Sequence, residues 1–93
     1  MTMKPPTRQQ VINKLKELVE GTITGDDAYD WAFDWIQKDE SIYGPVIKDD
    51  VVWKALGLLE LADGRDPETK MYVYQKEDFI SWLEEIQKLC EDR

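Results

Sequence analysis

The chain has no histidine among its 93 residues. This absence removes the commonest general base, the Ser–His and Cys–His nucleophile pairs, and most zinc sites. Gly-rich phosphate loops of the GxGxxG or GxxxxGK[ST] pattern are also missing. Carboxylates are plentiful, but those of residues 26–38 share the polar face of a predicted helix, where a solvated surface explains them. The sequence therefore predicts no enzyme and no catalytic residue.

Cysteine is nearly absent as well. The single cysteine, Cys90, cannot form an internal disulfide, and it continues the apolar stripe of the last predicted helix. Packing is its expected role, and a reducing compartment suits it. An EF-hand loop that starts at Asp63 fails, because Arg65 and Pro67 occupy ligand positions 3 and 5. We expect no metal site and no cofactor.

Long apolar runs are missing too. No stretch approaches the roughly 20 apolar residues that a membrane span needs. The start, residues 1–6, has no apolar core of a secretory signal and ends in Pro5-Pro6. We expect a cytoplasmic protein with one helical domain over residues 1–93, of which residues 1–6 form a disordered head.

Basic residues are outnumbered, 12 against 20 acidic ones, and the formal net charge is -8. The charge is uneven: residues 1–20 have a surplus of cations, whereas residues 26–40 carry six acids and one lysine. An acidic surface repels phosphate backbones, so the composition predicts no nucleic-acid binding. It favours attraction to a basic protein, although solubility alone also explains it.

Helical patterning dominates what is present. Thr7 with Gln10, and Thr24 with Asp27, have capping-box spacing, and each pair precedes an amphipathic stretch. Asp49 or Asp50 caps a third stretch. The predicted helices cover about residues 8–20, 26–38, 50–62 and 77–90. Gly57, within the third, is interpreted either as a point of close approach or as a plain weak spot.

The fold class follows from this order of elements. It is mainly α: a four-helix domain with a short extended segment or a two-stranded ribbon near residues 42–47 and 71–75, which have β character. The tryptophans fall at core-facing positions of the helices. We expect one joint core cluster of Trp31, Trp35, Leu56, Trp82 and Leu83.

The segment 26–38 is the most informative part of the chain. Wound as a helix, its aromatic, Ala and Ile residues cover an arc of about 200°, twice the usual apolar stripe. This helix therefore either sits centrally in the core or presents aromatic surface to a partner. The residues proposed for partner binding are aromatic or acidic side chains of this helix and tyrosines of the later loops: Tyr29, Asp30, Phe33, Asp34, Tyr43, Tyr72 and Tyr74.

Two stretches carry a resemblance. Residues 21–32, GTITGDDAYDWA, and the segments VWKAL at 52–56, YVY at 72–74 and DFISWLEE at 78–85 resemble a group of small standalone, largely uncharacterised bacterial proteins. In size and acidity alone, the chain is similar to toxin-immunity proteins. Neither likeness transfers functional residues.

The leading functional hypothesis is a small interaction protein, an immunity-type or inhibitory partner of a more basic protein. The alternative is an accessory or regulatory subunit that self-associates through the aromatic helix 26–38, as in a homodimer. An enzyme ranks third.

Overall fold

Four helices make up most of the chain. The computed structural model describes residues 6–39 and 47–92. The helices are α1 (Arg8–Glu20), α2 (Gly25–Asp39), α3 (Asp50–Leu61) and α4 (Lys76–Asp92). Within those two ranges there is no strand, and the predicted mainly-α, four-helix class is confirmed. None of the described helices is long and apolar enough to span a membrane.

Local hydrogen bonds define where the helices begin. Thr7 and Gln10 form the predicted reciprocal cap of α1: the Gln10 amide donates to Thr7 Oγ1 at 3.1 Å, and the Thr7 amide donates to Gln10 Oε1 at 2.8 Å. Asp49 caps α3 by accepting from the Val51 amide at 2.9 Å. Gly21 ends α1 with φ 78°, a left-handed conformation that glycine adopts without strain.

The helices pack in two main pairs, α2 on α3 and α1 on α4, while α3 also contacts α1 and α4. Although only a short linker joins them, α1 and α2 contact each other less than α2 contacts α3 or α1 contacts α4. The core draws fully or nearly fully buried side chains from all four helices and from Ile47: Val11, Leu15, Leu18, Ala28, Ala32, Ile47, Val51, Val52, Ala55, Leu56, Leu59, Ala62, Trp82 and Ile86.

The tryptophans are less central than predicted. Trp82 is buried with Leu56, but Trp31 and Trp35 only pack against the edge of the core. Trp53 is 42% exposed. On α2 the fully buried contacts are made by Ala28 and Ala32, whose small size lets the helix lie close to α3 and leaves the large rings at its sides.

Two glycines have opposite surroundings. A Cβ added to Gly57 would meet no heavy atom within 4 Å, so that glycine does not serve close packing. A Cβ added to Gly25 would clash with the carbonyl oxygen of Ala62 and lie 3.3 Å from Tyr72 Cε1. The close approach of two backbones therefore occurs where α2 begins and α3 ends.

The expected ribbon between residues 42–47 and 71–75 is not tested, because residues 42–46 lie outside the described residues. The segment that starts at Met71 pairs with residues just before it in the chain. The Asp66 amide donates to the Met71 carbonyl at 2.9 Å, and the Val73 amide donates to the Gly64 carbonyl at 2.9 Å.

The single cysteine lies near the end of α4. Cys90 is half-buried and packs against the core, as the stripe predicted. It lies near the Arg8 side chain at the start of α1.

Candidate functional site

The α2 residues predicted for partner binding form a partly exposed row. The rings of Tyr29 and Phe33 stack with centroids 5.3 Å apart and planes 12° from parallel. Phe33 is 36% exposed and Tyr29 is half-buried. Asp30 and Asp34 are exposed on the same helix. Nothing in the described structure tests whether a partner uses this row, and it stays a prediction.

The tyrosines of the later segments make internal contacts. Tyr74 packs on Trp82 with ring centroids 5.0 Å apart. The Arg65 guanidinium lies over the Tyr72 ring, 4.5 Å from its centroid, and donates to the Tyr72 hydroxyl at 3.0 Å. Tyr43 lies outside the described residues. The structure therefore brings Tyr29 and Phe33 together, while Tyr72 and Tyr74 are each engaged by side chains of residues 65–82.

The first turn of α2 concentrates negative charge. Asp26 binds the Arg65 guanidinium at 2.8 Å. Asp27 accepts hydrogen bonds from the Thr24 amide, at 3.0 Å, and from the Thr24 side chain, and these bonds lower the pKa of Asp27. Carboxylates suit the positive end of a helix dipole, so this acidity has a structural explanation.

Charge is distributed very unequally among the helices. In α2, α3 and α4, acids outnumber cations. In α1 three cations, Arg8, Lys14 and Lys16, face two acids, Glu17 and Glu20, which both lie in its C-terminal part. Residues 1–16 contain no acid at all. The start of α1 is thus the basic end of an acidic molecule.

The cations of α1 have different environments. Arg8 Nε donates to Asp49 Oδ2 at 2.7 Å, which raises the pKa of Arg8, lowers that of Asp49 and ties α1 to the start of α3. Lys14 lies 5.6 Å from the centroid of the Trp31 ring and 3.5 Å from a carboxylate oxygen of Glu17. The Lys16 side chain is exposed and, within residues 6–39 and 47–92, makes no ion pair or hydrogen bond.

An exposed polar stripe runs along α1 beside these cations. Gln9, Asn13 and Lys16 succeed one another at helical spacing, and all three are exposed. Gln9 Nε2 donates to Asn13 Oδ1 at 2.9 Å. We call Gln9, Asn13 and Lys16 the outward face of α1. Glu20 continues the same stripe at its C-terminal end.

The described residues form neither a large pocket nor a cluster of metal-ligating side chains. A pocket of about 220 Å³ lies between the start of α2 and residues 72–79, lined by Ile23, Tyr72, Tyr74 and Phe79 among others. Sites for small ligands are usually larger, about 300–1,000 Å³. Across residues 6–39 and 47–92, no three Cys, Asp or Glu side chains are grouped to hold a metal ion.

Similarity to known proteins gives a different indication from net charge. The chain is 30% identical over 76 residues to the uncharacterized protein YxzC of Bacillus subtilis (strain 168), which confirms the resemblance to little-characterised bacterial proteins. The match covers 82% of this chain and 58% of that relative's length. No solved structure matches. The likeness to immunity proteins gains no support.

A family model described as "YxzC DNA-binding protein" matches residues 4–86. This description contradicts the exclusion of nucleic acid and the hypothesis of an immunity-type partner of a basic protein, and it lends nothing to a self-associating subunit. The error came from the summed charge of -8, because DNA contact depends on where the cations lie. The sequence does contain one acid-free run with four cations, residues 1–16, which the summed charge hides. The match spans most of the chain, which therefore belongs to the YxzC DNA-binding protein family.

Proposed function

We propose that this chain binds DNA and that the outward face of α1 contacts it. The observation that supports this surface most directly is the charge distribution among the helices. Of the four described helices, α1 alone has more cations than acids. The family description supplies the ligand class, and the electrostatics select the face.

Electrostatic repulsion restricts how DNA approaches the molecule. Phosphate contacts from Lys and Arg supply most of the sequence-independent affinity for DNA. The exposed acids of α2, such as Asp30 and Asp34, repel phosphates and disfavour that helix as a DNA-reading element. DNA approaching along the first two turns of α1 meets the uncharged amides of Gln9 and Asn13 and then Lys16, while the acids Glu17 and Glu20 begin only beside and beyond Lys16.

Few phosphate contacts are available to such a surface. Residues 4–16 supply four cations, and Arg8 is already paired with Asp49. Each neutralised phosphate contributes about -0.9 to the slope of log affinity against log salt concentration. We therefore expect a slope between about -2 and -4, and binding that weakens markedly at physiological salt.

Fluorescence anisotropy of a labelled duplex, titrated with protein at several salt concentrations, tests the proposal. Lys16→Glu removes the unpaired cation of the outward face. It should reduce affinity at low salt by about tenfold and lower the magnitude of the salt slope by about 1 or more. Lys88→Glu changes the net charge equally on the acidic helix α4 and is the matched control. It should change affinity by less than about threefold, because Lys88 is exposed on another helix, outside the proposed contact surface, and its charge is screened by salt.

Two results would contradict the proposal. Absence of binding to any duplex at low salt, with protein in the high micromolar range, would exclude DNA as a ligand. Equal losses in the Lys16→Glu and Lys88→Glu variants would show that only net charge matters and that α1 is not the contact surface. Circular dichroism of both variants establishes that they are folded.

The proposal is for a binding protein without catalytic activity. The chain lacks histidine and the Gly-rich phosphate loops that serve phosphoryl transfer. Duplex DNA incubated with the protein and divalent cations should remain intact and unmodified, as gel electrophoresis and mass spectrometry would show.

A further inference from the structure

The amides on the outward face of α1 have hydrogen-bonding groups left over. Gln9 and Asn13 are one turn apart and joined by the bond from Gln9 Nε2 to Asn13 Oδ1. In the described part of the chain, no other side-chain hydrogen bond occupies either residue. The acceptor Gln9 Oε1 and the donor Asn13 Nδ2 are therefore not bonded to another side chain of the described residues, and both residues are exposed.

We propose that Gln9 and Asn13 read the edge of an adenine in the major groove, an inference that rests on DNA binding through α1. Adenine presents the acceptor N7 and the donor N6 side by side in that groove, and Asn and Gln are the side chains that pair with them. Asn13 Nδ2 donates to N7, and Gln9 Oε1 accepts from N6. Two residues thus supply the donor and acceptor that a single amide usually supplies.

The surroundings of the two amides suit this role. An α-helix is about 10–12 Å wide with its side chains, and the major groove is about 12 Å wide. Glu17 is the first acid of α1: it lies one turn from Asn13 and is paired with Lys14 at 3.5 Å, whereas Gln9 has no acid of α1 within one turn. Lys16 lies on the same stripe, in position to hold a phosphate and fix the register.

A neighbouring glutamine shows that exposure alone does not select the readers. Gln10 is also exposed, but its Oε1 accepts from the Thr7 amide at 2.8 Å in the helix cap. Its acceptor is therefore already used in the cap of α1. Gln37 on α2 is exposed within an acidic helix, and it provides a matched control for removal of an amide.

The experiment begins with selection from a randomised duplex pool by the full chain. Wild type should enrich a motif that contains adenine, whereas Asn13→Ala and Gln9→Ala should enrich none. Anisotropy then compares the enriched duplex with a scrambled one. Each alanine variant should lose about 5–150-fold in affinity for the enriched duplex, and little for the scrambled one. Lys16→Glu should weaken both duplexes alike, and Gln37→Ala should weaken neither.

Replacing the contacted adenine by 7-deazaadenine, which lacks the N7 acceptor, tests the contact itself. Wild type should lose about as much affinity as Asn13→Ala loses on the natural duplex, and Asn13→Ala should lose no more. If the analogue costs both proteins equally, or if wild type binds all duplexes alike, base reading by this amide pair is wrong while DNA binding stands. If no duplex binds, both this inference and the proposed function fail.

Discussion

Helices α1 and α2 begin in the same way and present opposite surfaces. Each starts with a threonine whose hydroxyl accepts the amide of the residue three positions on, and that residue's side chain returns a bond to the threonine amide. In α1 the returning side chain is neutral Gln10, and in α2 it is the carboxylate of Asp27. Both chemistries satisfy the free amides of a helix start. The hydrogen bonds that start a helix therefore do not determine the charge of its exposed side chains. That charge can vary between α1 and α2 without loss of the cap.

The same two helices are also attached differently. α1 buries branched side chains, Val11, Leu15 and Leu18, whereas the buried contacts of α2 come from Ala28 and Ala32. Small residues bring backbones close together, and the approach is closest at Gly25 and Ala62. Large buried side chains hold α1 against the core. Small residues hold α2, because they let its backbone approach α3.

The largest expected effect comes from adding volume where α2 begins. Gly25→Ala places a Cβ against the Ala62 carbonyl oxygen, so the helices must separate. Overpacking of this kind costs about 1–3 kcal/mol, occasionally more. A fall in melting temperature of at least about 4 °C is expected, since 1 kcal/mol corresponds to about 4–8 °C in a domain of this size.

Gly57→Ala is the matched control for Gly25→Ala. Its Cβ would meet nothing, and alanine favours helix by up to about 1 kcal/mol over glycine. Thermal denaturation should therefore show an equal or higher melting temperature. If Gly25→Ala is equally harmless, the close packing of α2 on α3 is wrong.

A smaller effect is expected from the caps. Thr7→Ala and Thr24→Ala each remove a hydroxyl acceptor from a helix start. Loss of such a cap typically costs about 1 kcal/mol in the free energy of unfolding, as urea denaturation measures. Serine at either position keeps the acceptor and should restore most of the loss. A cost confined to one threonine would show that the two starts are not equivalent.

The smallest expected effect is a difference in pH dependence between the cap of α1 and the cap of α2. Hydrogen bonds from Thr24 lower the pKa of Asp27, so the stabilisation is complete above the ordinary Asp value of about 3.9 and is lost as pH falls through the lower, folded-state pKa. Gln10 does not titrate. In an NMR titration the Thr24 amide shift should move with a midpoint below that value, while the Thr7 amide shift should show no matching step. A Thr24 midpoint at or above it would mean that Asp27 does not cap α2.

Much of this fold is readable from the sequence, because caps and apolar spacing act locally. Thr7, Thr24 and Asp49 mark three of the four helix starts correctly. Exposure is less readable, since it depends on which helix covers which face. Trp53 and Gly57 share an outward side of α3, so neither the predicted core role nor the close approach holds. The pairing of Met71 with Asp66 depends on turn geometry that β propensity alone does not reveal.

The proposed DNA surface was harder to predict than the fold. The wide apolar arc of helix 26–38 predicted a binding role for Tyr29 and Phe33. These two rings stack on each other, and this contact covers part of their apolar surface. The negative net charge predicted that the chain binds no nucleic acid. Only the placement of Lys16, Gln9 and Asn13 on one exposed stripe distinguishes α1 from its acidic neighbours.

The half-buried Cys90 makes the molecule suited to measurements of its own motion. It packs on the core close to Arg8, where α4 lies against the basic start of α1. Because it is the sole cysteine, a thiol reagent modifies one position and no other. Because the thiol is half-buried, its rate of modification depends on how often the packing around Cys90 opens. Labelling of Cys90, without any mutation, thus measures the rate of local opening next to the helix that carries the proposed DNA surface.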